Sequence, residues 1–253
     1  MNTTTKQQGK ETILSVSMAI CFLATVFGIS IYGEQKTQRI IISDNIDISA
    51  SAIEFKFLEP KQTYPLLVKE HCRRSLQLLT EGDILISGKF AAETFSRNLT
   101  INHKVKSELL KQCSQATAQP TRFPSTKGTN LPLVLKETQT QIENQRNNGI
   151  NYPVALIIVI DAAEPVSIDQ FNENTWTHEV KTSVENLLKE GNIALAFIVT
   201  DGELKTTLTT TLATLAPVKF YDLESGDRQA LEWVIKTARN LPQKSHQNLI
   251  NSN

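Results

Sequence analysis

Apolar runs of strand length alternate with amphipathic stretches of helix length from Arg39 onward. Two of the runs, ALIIVI at 155–160 and ALAFIV at 194–199, are continuously apolar, which is typical of strands covered on both faces of a sheet. The predicted strands are Arg39–Ile48, Ile84–Phe90, Leu99–Asn102, Val154–Ile160, Ile193–Thr200 and Val218–Tyr221. This alternation predicts the α/β class, with a doubly wound, mostly parallel central sheet flanked by helices.

Apolar positions between the predicted strands recur with helical spacing. The apolar stripes are Val68, Cys72, Leu76 and Leu79; Leu131, Leu135, Thr138 and Ile142; Trp176, Val180, Val184 and Leu187; and Ala230, Val234 and Ala238. Gly191 follows the third stripe at a position typical of a helix C-terminal cap. The stretch Lys104–Lys111 is interpreted as the solvated face of a further helix.

The N-terminal segment differs from the rest of the chain because Ile13–Tyr32 contains no charged residue. About 20 apolar residues at 1.5 Å rise per residue match the roughly 30 Å hydrocarbon core of a bilayer, so the segment predicts a signal-anchor helix. A cleaved signal peptide is the alternative, with Gly28-Ile29-Ser30 as its cleavage site. The predicted organisation is a cytoplasmic arm at 1–11, a single-pass transmembrane helix at 12–32, a short tether at 33–38, an extracytoplasmic domain at 39–240 and a disordered tail at 241–253.

Composition argues against two classes of protein. The 26 Lys and Arg residues balance 26 Asp and Glu residues, so the charge gives no indication of nucleic-acid binding. The three cysteines match no zinc motif, and packed thiols are the favoured interpretation because free cysteine is among the most buried residue types. A Cys72–Cys113 disulfide is the alternative.

The histidines, His71 among them, lack a carboxylate or cysteine at metal spacing and are interpreted as surface or core residues.

Candidate chemistry is concentrated where two predicted strands end. Asp47, Ser49 and Ser51 follow the first strand, and Asp161 follows the run ending at Ile160. Ligands of open parallel sheets bind beyond the carboxyl ends of the strands, and Thr129, at the start of a predicted helix, adds a third hydroxyl. Carboxylate and hydroxyl oxygens suit a hard cation such as Mg²⁺, with Mn²⁺ and Ca²⁺ as alternatives. So few anionic ligands would leave the ion able to attract a carboxylate from a partner.

The pattern Asp-x-Ser-x-Ser at 47–51, the sequence Gly-Thr-Asn-Leu at 128–131 and the strand-ending Asp161 resemble the von Willebrand factor A domain and its metal-ion-dependent adhesion site. The order of strands and helices agrees over about residues 39–240. The resemblance implies a Rossmann-like fold, a metal site formed by the five residues above, and a protein ligand that presents a carboxylate. It implies a binding module without enzymatic activity, here anchored in a membrane.

The sequence departs from that family pattern in three places. Asp44 and Asn45 stand in the first strand where apolar residues are usual, so we expect the strand to be bulged there or shorter than assigned, because burying unpaired polar groups costs several kcal/mol. The usual Gly after the first Ser is Ala50, and Asp161 is followed by Ala where the family has Gly. Thr200-Asp201-Gly202 matches the family better but follows the next strand, so Asp201 is set aside.

Two other functions stay open from the sequence. A metal-independent scaffold subunit of a membrane complex would use the same fold, since Asp47, Ser49 and Thr129 are also common in turns and helix caps. A phosphohydrolase would need a second Asp at position 49, which is Ser, and no glycine-rich phosphate loop follows any strand. The binding module is therefore the favoured hypothesis.

Overall fold

The computed structural model describes residues 37–49, 64–91, 93–115, 128–161 and 172–243. From Gln38 onward these residues belong to one compact unit. The predicted arm and transmembrane helix lie outside the described residues, as do Ser51 and most of the tether and tail. Within the described ranges, no helix has the length and apolar character needed to cross a membrane.

Among the described residues, six strands form one sheet with the order β3-β2-β1-β4-β5-β6. Their bounds are β1 Ile41–Asp47, β2 Ile84–Phe90, β3 Thr94–Thr100, β4 Val154–Ile160, β5 Ile193–Val199 and β6 Val218–Asp222. All neighbours pair in parallel except β2 and β3, which are antiparallel. Every residue of β4 and β5 is buried. The predicted doubly wound, mostly parallel sheet is confirmed.

In the part of the chain that the structure describes, six helices cover the two faces of the sheet. Their bounds are α1 Tyr64–Leu78, α2 His103–Gln115, α3 Leu131–Asn147, α4 Glu173–Lys189, α5 Gly202–Leu212 and α6 Leu223–Asn240. Helices α3, α4 and α5 contribute to the apolar cluster on one face, and α1, α2 and α6 to the cluster on the other. Because side chains alternate along a strand, successive residues of β1 point into different clusters.

Two elements differ from the sequence prediction. β3 spans Thr94–Thr100, whereas the prediction placed this strand at Leu99–Asn102, because β3 is an edge strand with mostly exposed polar side chains that mask the alternation. Helix α5 was not predicted. Its buried residues Leu204, Leu208 and Leu212 are spaced by four, but the many threonines between them have low helix propensity.

Strand β1 spans Ile41–Asp47 and is therefore shorter than the predicted Arg39–Ile48, but it is not bulged at its polar residues, so the expectation of a bulge was wrong. Its register with β2 runs without a break from Ile41↔Ile84 to Asp47↔Phe90. Asn45 donates from Nδ2 to Ser43 Oγ at 3.0 Å and Thr138 Oγ1 at 3.4 Å. A Cβ atom at Gly88 would come within 1.9 Å of Asn45 Oδ1, so glycine at position 88 leaves the room that this side chain occupies.

Cys72, which is half-buried, and Cys113, which is buried, form a disulfide. The favoured interpretation as packed thiols was therefore wrong. Cys72 of α1 and Cys113 of α2 are joined with their Cα atoms 5.9 Å apart. The bond closes a separation of 41 residues, for which the expected stabilisation is about 2–4 kcal/mol. It fixes helix α1 against helix α2 on one face of the sheet.

Candidate metal centre

The carboxyl ends of β1 and β4 bring two acidic residues to the same edge of the sheet. Asp47 is the last residue of β1, and Asp161 directly follows β4. The two strands are hydrogen-bonded neighbours in parallel register up to Ile46↔Val159. Both aspartates are buried, with exposures of 0% and 2%. The topology therefore places two carboxylates side by side and away from bulk water.

Two hydroxyl residues bind these carboxylates: Ser49 contacts both of them, and Thr129 contacts Asp47. Thr129 Oγ1 donates to Asp47 Oδ2 at 3.1 Å, and the Ser49 N–H donates to Asp47 Oδ1 at 2.9 Å. Ser49 Oγ donates to Asp161 Oδ1 at 3.4 Å. The structure thus brings together four of the five residues that the sequence suggested as ligands, while Ser51 lies outside the described residues.

Thr129 is directed to Asp47 by the residues on either side of it. Gly128 has φ of +92°, a left-handed conformation that residues with a Cβ rarely adopt. Asn130 is the N-cap of α3, and its side chain accepts a hydrogen bond from Leu133 N at 3.1 Å. Because Asn130 caps the helix, the hydroxyl of Thr129 is available to Asp47 rather than to the helix terminus.

The charges at this site are not balanced within the described residues. Burial, followed by the negative charge of Asp161 and hydrogen bonding with it, raises the pKa of Asp47 well above its usual value, and the hydrogen bonds from Ser49 offset this only in part. Asp161 Oδ2 is buried and has no hydrogen-bond partner among the described residues. A buried acceptor without a donor is costly, and a cation or a proton at this oxygen would remove that cost.

The donor set fits a hard divalent cation. It consists of two carboxylates and at least two hydroxyls, the oxygen ligands that Mg²⁺ and Mn²⁺ accept. No group of three or more His, Cys, Asp or Glu side chains able to hold a metal occurs in the described part of the chain. The candidate centre therefore depends on neutral hydroxyls as well as on Asp47 and Asp161.

Sequence reasoning missed two residues that contact the main chain of this site. Tyr64 OH donates to the main-chain oxygen of Asp47 at 2.8 Å, and Thr200 Oγ1 donates to that of Asp161 at 3.0 Å. Burial, then the charges of Asp47 and Asp161, raise the pKa of Tyr64, so its hydroxyl stays protonated. Asp201, set aside above, is the N-cap of α5 and accepts from Leu204 N at 2.7 Å.

Comparison with solved structures identifies the fold as von Willebrand factor A-like. An aerotolerance-related membrane protein from Bacteroides fragilis aligns over 80% of this chain and 100% of its own, with TM-score 0.54 and 10% identity. A von Willebrand factor type A protein from Catenulispora acidiphila aligns over 79% and 43%, with TM-score 0.51 and 13% identity. Manganese-loaded TRAP protein from Plasmodium vivax aligns over 79% and 74%, with TM-score 0.53 and 13% identity. No family model and no curated protein matches the sequence.

Proposed function

We propose that this chain is a membrane-anchored binding module that uses a divalent cation to engage an acidic side chain of a partner protein. The observation that carries the proposal is the buried pair Asp47 and Asp161, whose oxygen Asp161 Oδ2 has no donor among the described residues. The von Willebrand factor A-like fold supports it, as does the manganese that the TRAP structure contains.

In this proposal the residues of the site hold the ion, and two of them also orient another ligand. Asp47, Ser49, Thr129 and Asp161, together with Ser51, hold the ion through oxygen. The bound cation supplies positive charge that attracts a carboxylate of the partner. Before binding, Ser49 and Thr129 orient the Asp47 carboxylate through its two oxygens. These groups bind and orient, and we assign none of them to a catalytic step.

The proposed location is the extracytoplasmic face of a membrane, with residues 12–32 as the anchor or as a cleaved signal peptide. The Cys72–Cys113 disulfide supports this location, because disulfides persist mainly in oxidising compartments. One of the proteins of similar fold is itself described as a membrane protein.

A magnesium titration of the full-length chain in detergent tests the proposal. Ligand that binds only the folded state stabilises it by about 2.7 kcal/mol at one hundred times Kd, so the melting temperature is expected to rise with Mg²⁺ or Mn²⁺. Asp47→Asn is expected to abolish the rise. Asp201→Asn is the matched control, since Asn also caps helices well, and it should respond like wild type. An absent rise in wild type, or an equal rise in Asp47→Asn, would contradict the proposal.

The second candidate is a metal-independent scaffold subunit of a membrane complex. One observation favours it: the raised pKa of Asp47, caused first by burial and then by Asp161, allows a proton to replace the cation between the two carboxylates. The two candidates differ in their response to chelation. A partner complex that survives excess chelator unchanged supports the scaffold, whereas release on chelation supports the cation-dependent module.

A further inference from the structure

The two candidate ligand carboxylates belong to residues whose main-chain carbonyl groups are both bound by side-chain hydroxyls. Asp47 O accepts from Tyr64 OH, and Asp161 O accepts from Thr200 Oγ1. These hydroxyls come from different elements: Tyr64 begins α1, and Thr200 directly follows β5. Each therefore ties the end of one ligand-bearing strand to a separate part of the fold.

Both hydroxyls are held in place by further contacts. Tyr64 is 3% exposed and belongs to the apolar cluster that α1, α2 and α6 form on one face of the sheet. Thr200 also donates its own N–H to Ile160 O at 3.2 Å, so it contacts two consecutive main-chain oxygens at the end of β4.

We propose that Tyr64 and Thr200 are positioning residues of the cation site, which hold the main chain of Asp47 and Asp161 so that the two carboxylates stay close enough to share one ion. Two buried like charges repel each other in a low dielectric, so both carboxylates can ionise around one ion only if the strand ends that carry them stay in place. The inference rests on the proposed cation-binding function and adds the residues that set its affinity.

Isosteric removal of each hydroxyl tests the inference. Tyr64→Phe and Thr200→Val in the full-length chain keep the side-chain shape but lose the hydrogen bond. Partners that orient metal ligands from outside typically change metal affinity by about 10–100-fold, so each variant is expected to raise Kd for Mg²⁺ and Mn²⁺ about tenfold in isothermal titration calorimetry. Thr200→Ser restores the hydroxyl and is expected to recover wild-type affinity.

Two matched controls remove hydroxyls far from the site. Tyr152→Phe removes a phenol that accepts from Arg39 Nη1 at 3.5 Å, and Thr209→Val removes a helical hydroxyl that donates to Lys205 O. Both should keep wild-type Kd. A purely structural role for Tyr64 and Thr200 would lower the melting temperature of the ion-free chain and leave Kd unchanged.

The outcomes separate the inference from the proposed function. Wild type that takes up neither ion overturns the proposed function and this inference with it. Wild-type binding together with unchanged Kd in Tyr64→Phe and Thr200→Val overturns the positioning role alone. Weakened binding in both variants, with recovery in Thr200→Ser, supports it.

Discussion

Strand β1 contributes to two buried carboxylate pairs that differ in how their charge is balanced. Asp44 and Asp227 form the first, which we call the compensated pair, because His71 lies between them: Nε2 is 2.9 Å from Asp44 Oδ1 and Nδ1 contacts Asp227 Oδ1. Asp47 and Asp161 form the second, which we call the uncompensated pair. The two β1 aspartates are three residues apart, yet their side chains lie on opposite faces of the sheet.

The compensated pair contains all the charge it needs. Burial alone would lower the pKa of His71, but the charge of Asp44 and the hydrogen bonds to Asp227 and Asp44 outweigh this effect and raise the pKa to about 10. Arg74 Nη1 adds a second cation, 2.9 Å from Asp227 Oδ2. Two carboxylates thus meet an imidazolium and a guanidinium, and buried charges are tolerated when they are paired in this way.

The uncompensated pair has similar burial and also consists of two carboxyl groups, but among the described residues hydroxyls take the place of His71 and Arg74. Hydroxyls donate hydrogen bonds without adding positive charge. The described side chains that bind the pair carry no positive charge, which is why we propose a metal ion there and name a proton as the alternative. The comparison shows that this fold can bury and balance a carboxylate pair with its own side chains, and the imbalance among the described residues at Asp47 and Asp161 supports the proposed cation site.

The largest expected effect comes from removing the cation of the compensated pair. His71→Leu leaves Asp44 and Asp227 buried without the imidazolium between them, and breaking a buried pair typically costs about 3–5 kcal/mol. We expect a loss of that size in the free energy of unfolding, measured by urea denaturation without divalent ions. His103→Leu, at an exposed histidine, should stay within about 0.5 kcal/mol of wild type. A loss below about 1 kcal/mol for His71→Leu would show that the pair is not charged as described.

The same histidine gives the fold a pH dependence on the alkaline side. The pKa of His71 is about 10 in the folded state against an ordinary value of 6.5. The stability it contributes is therefore fully present below pH 6.5 and is lost as the pH rises through 10. Wild type should lose stability relative to His71→Gln between pH 7 and pH 10, as followed by urea denaturation at each pH. A constant difference between the two chains across this range would contradict the raised pKa.

The sequence predicted the elements whose pattern is local. β4 and β5 are continuous apolar runs, and their predicted bounds agree with the structure within one residue. From the sequence, Asp44 is expected to disturb β1, because its partners His71 and Asp227 are 27 and 183 positions away and are not apparent. Compensation that distant depends on the packing of α1 and α6 against the sheet, and no pattern within β1 reveals it.

The candidate site likewise contains some residues that a local sequence pattern reveals and others that only the fold reveals. Asp47, Ser49 and Thr129 are recognisable because they lie in two short motifs, and Asp161 because it ends an apolar strand. No sequence pattern indicates that Tyr64 belongs to the site, since its contact with the main chain of Asp47 depends on where α1 begins. Thr200 was visible only as part of a Thr-Asp-Gly sequence that follows the neighbouring strand.

The smallest expected effect has the opposite sign and concerns the uncompensated pair. Asp161→Asn removes one of its two charges, and the amide can donate to the Asp47 carboxylate while its oxygen still accepts from Ser49. A net hydrogen bond is worth about 1 kcal/mol, so we expect the ion-free chain to gain about that much in the free energy of unfolding. The gain should be measured by urea denaturation in the presence of a chelator. The chelator removes Mg²⁺, so the metal cannot contribute to the measured stability.

The matching substitution in the compensated pair is Asp44→Asn, which deprives His71 of a charged partner and should destabilise the chain. Opposite signs for Asp161→Asn and Asp44→Asn are expected because only the first removes a carboxylate that has no positively charged partner among the described residues. If both substitutions destabilise by similar amounts, the Asp47–Asp161 pair already holds its own counter-charge in the ion-free state. A proton shared by the two carboxylates would then balance the site, and the metal-independent scaffold would become the better account of this protein.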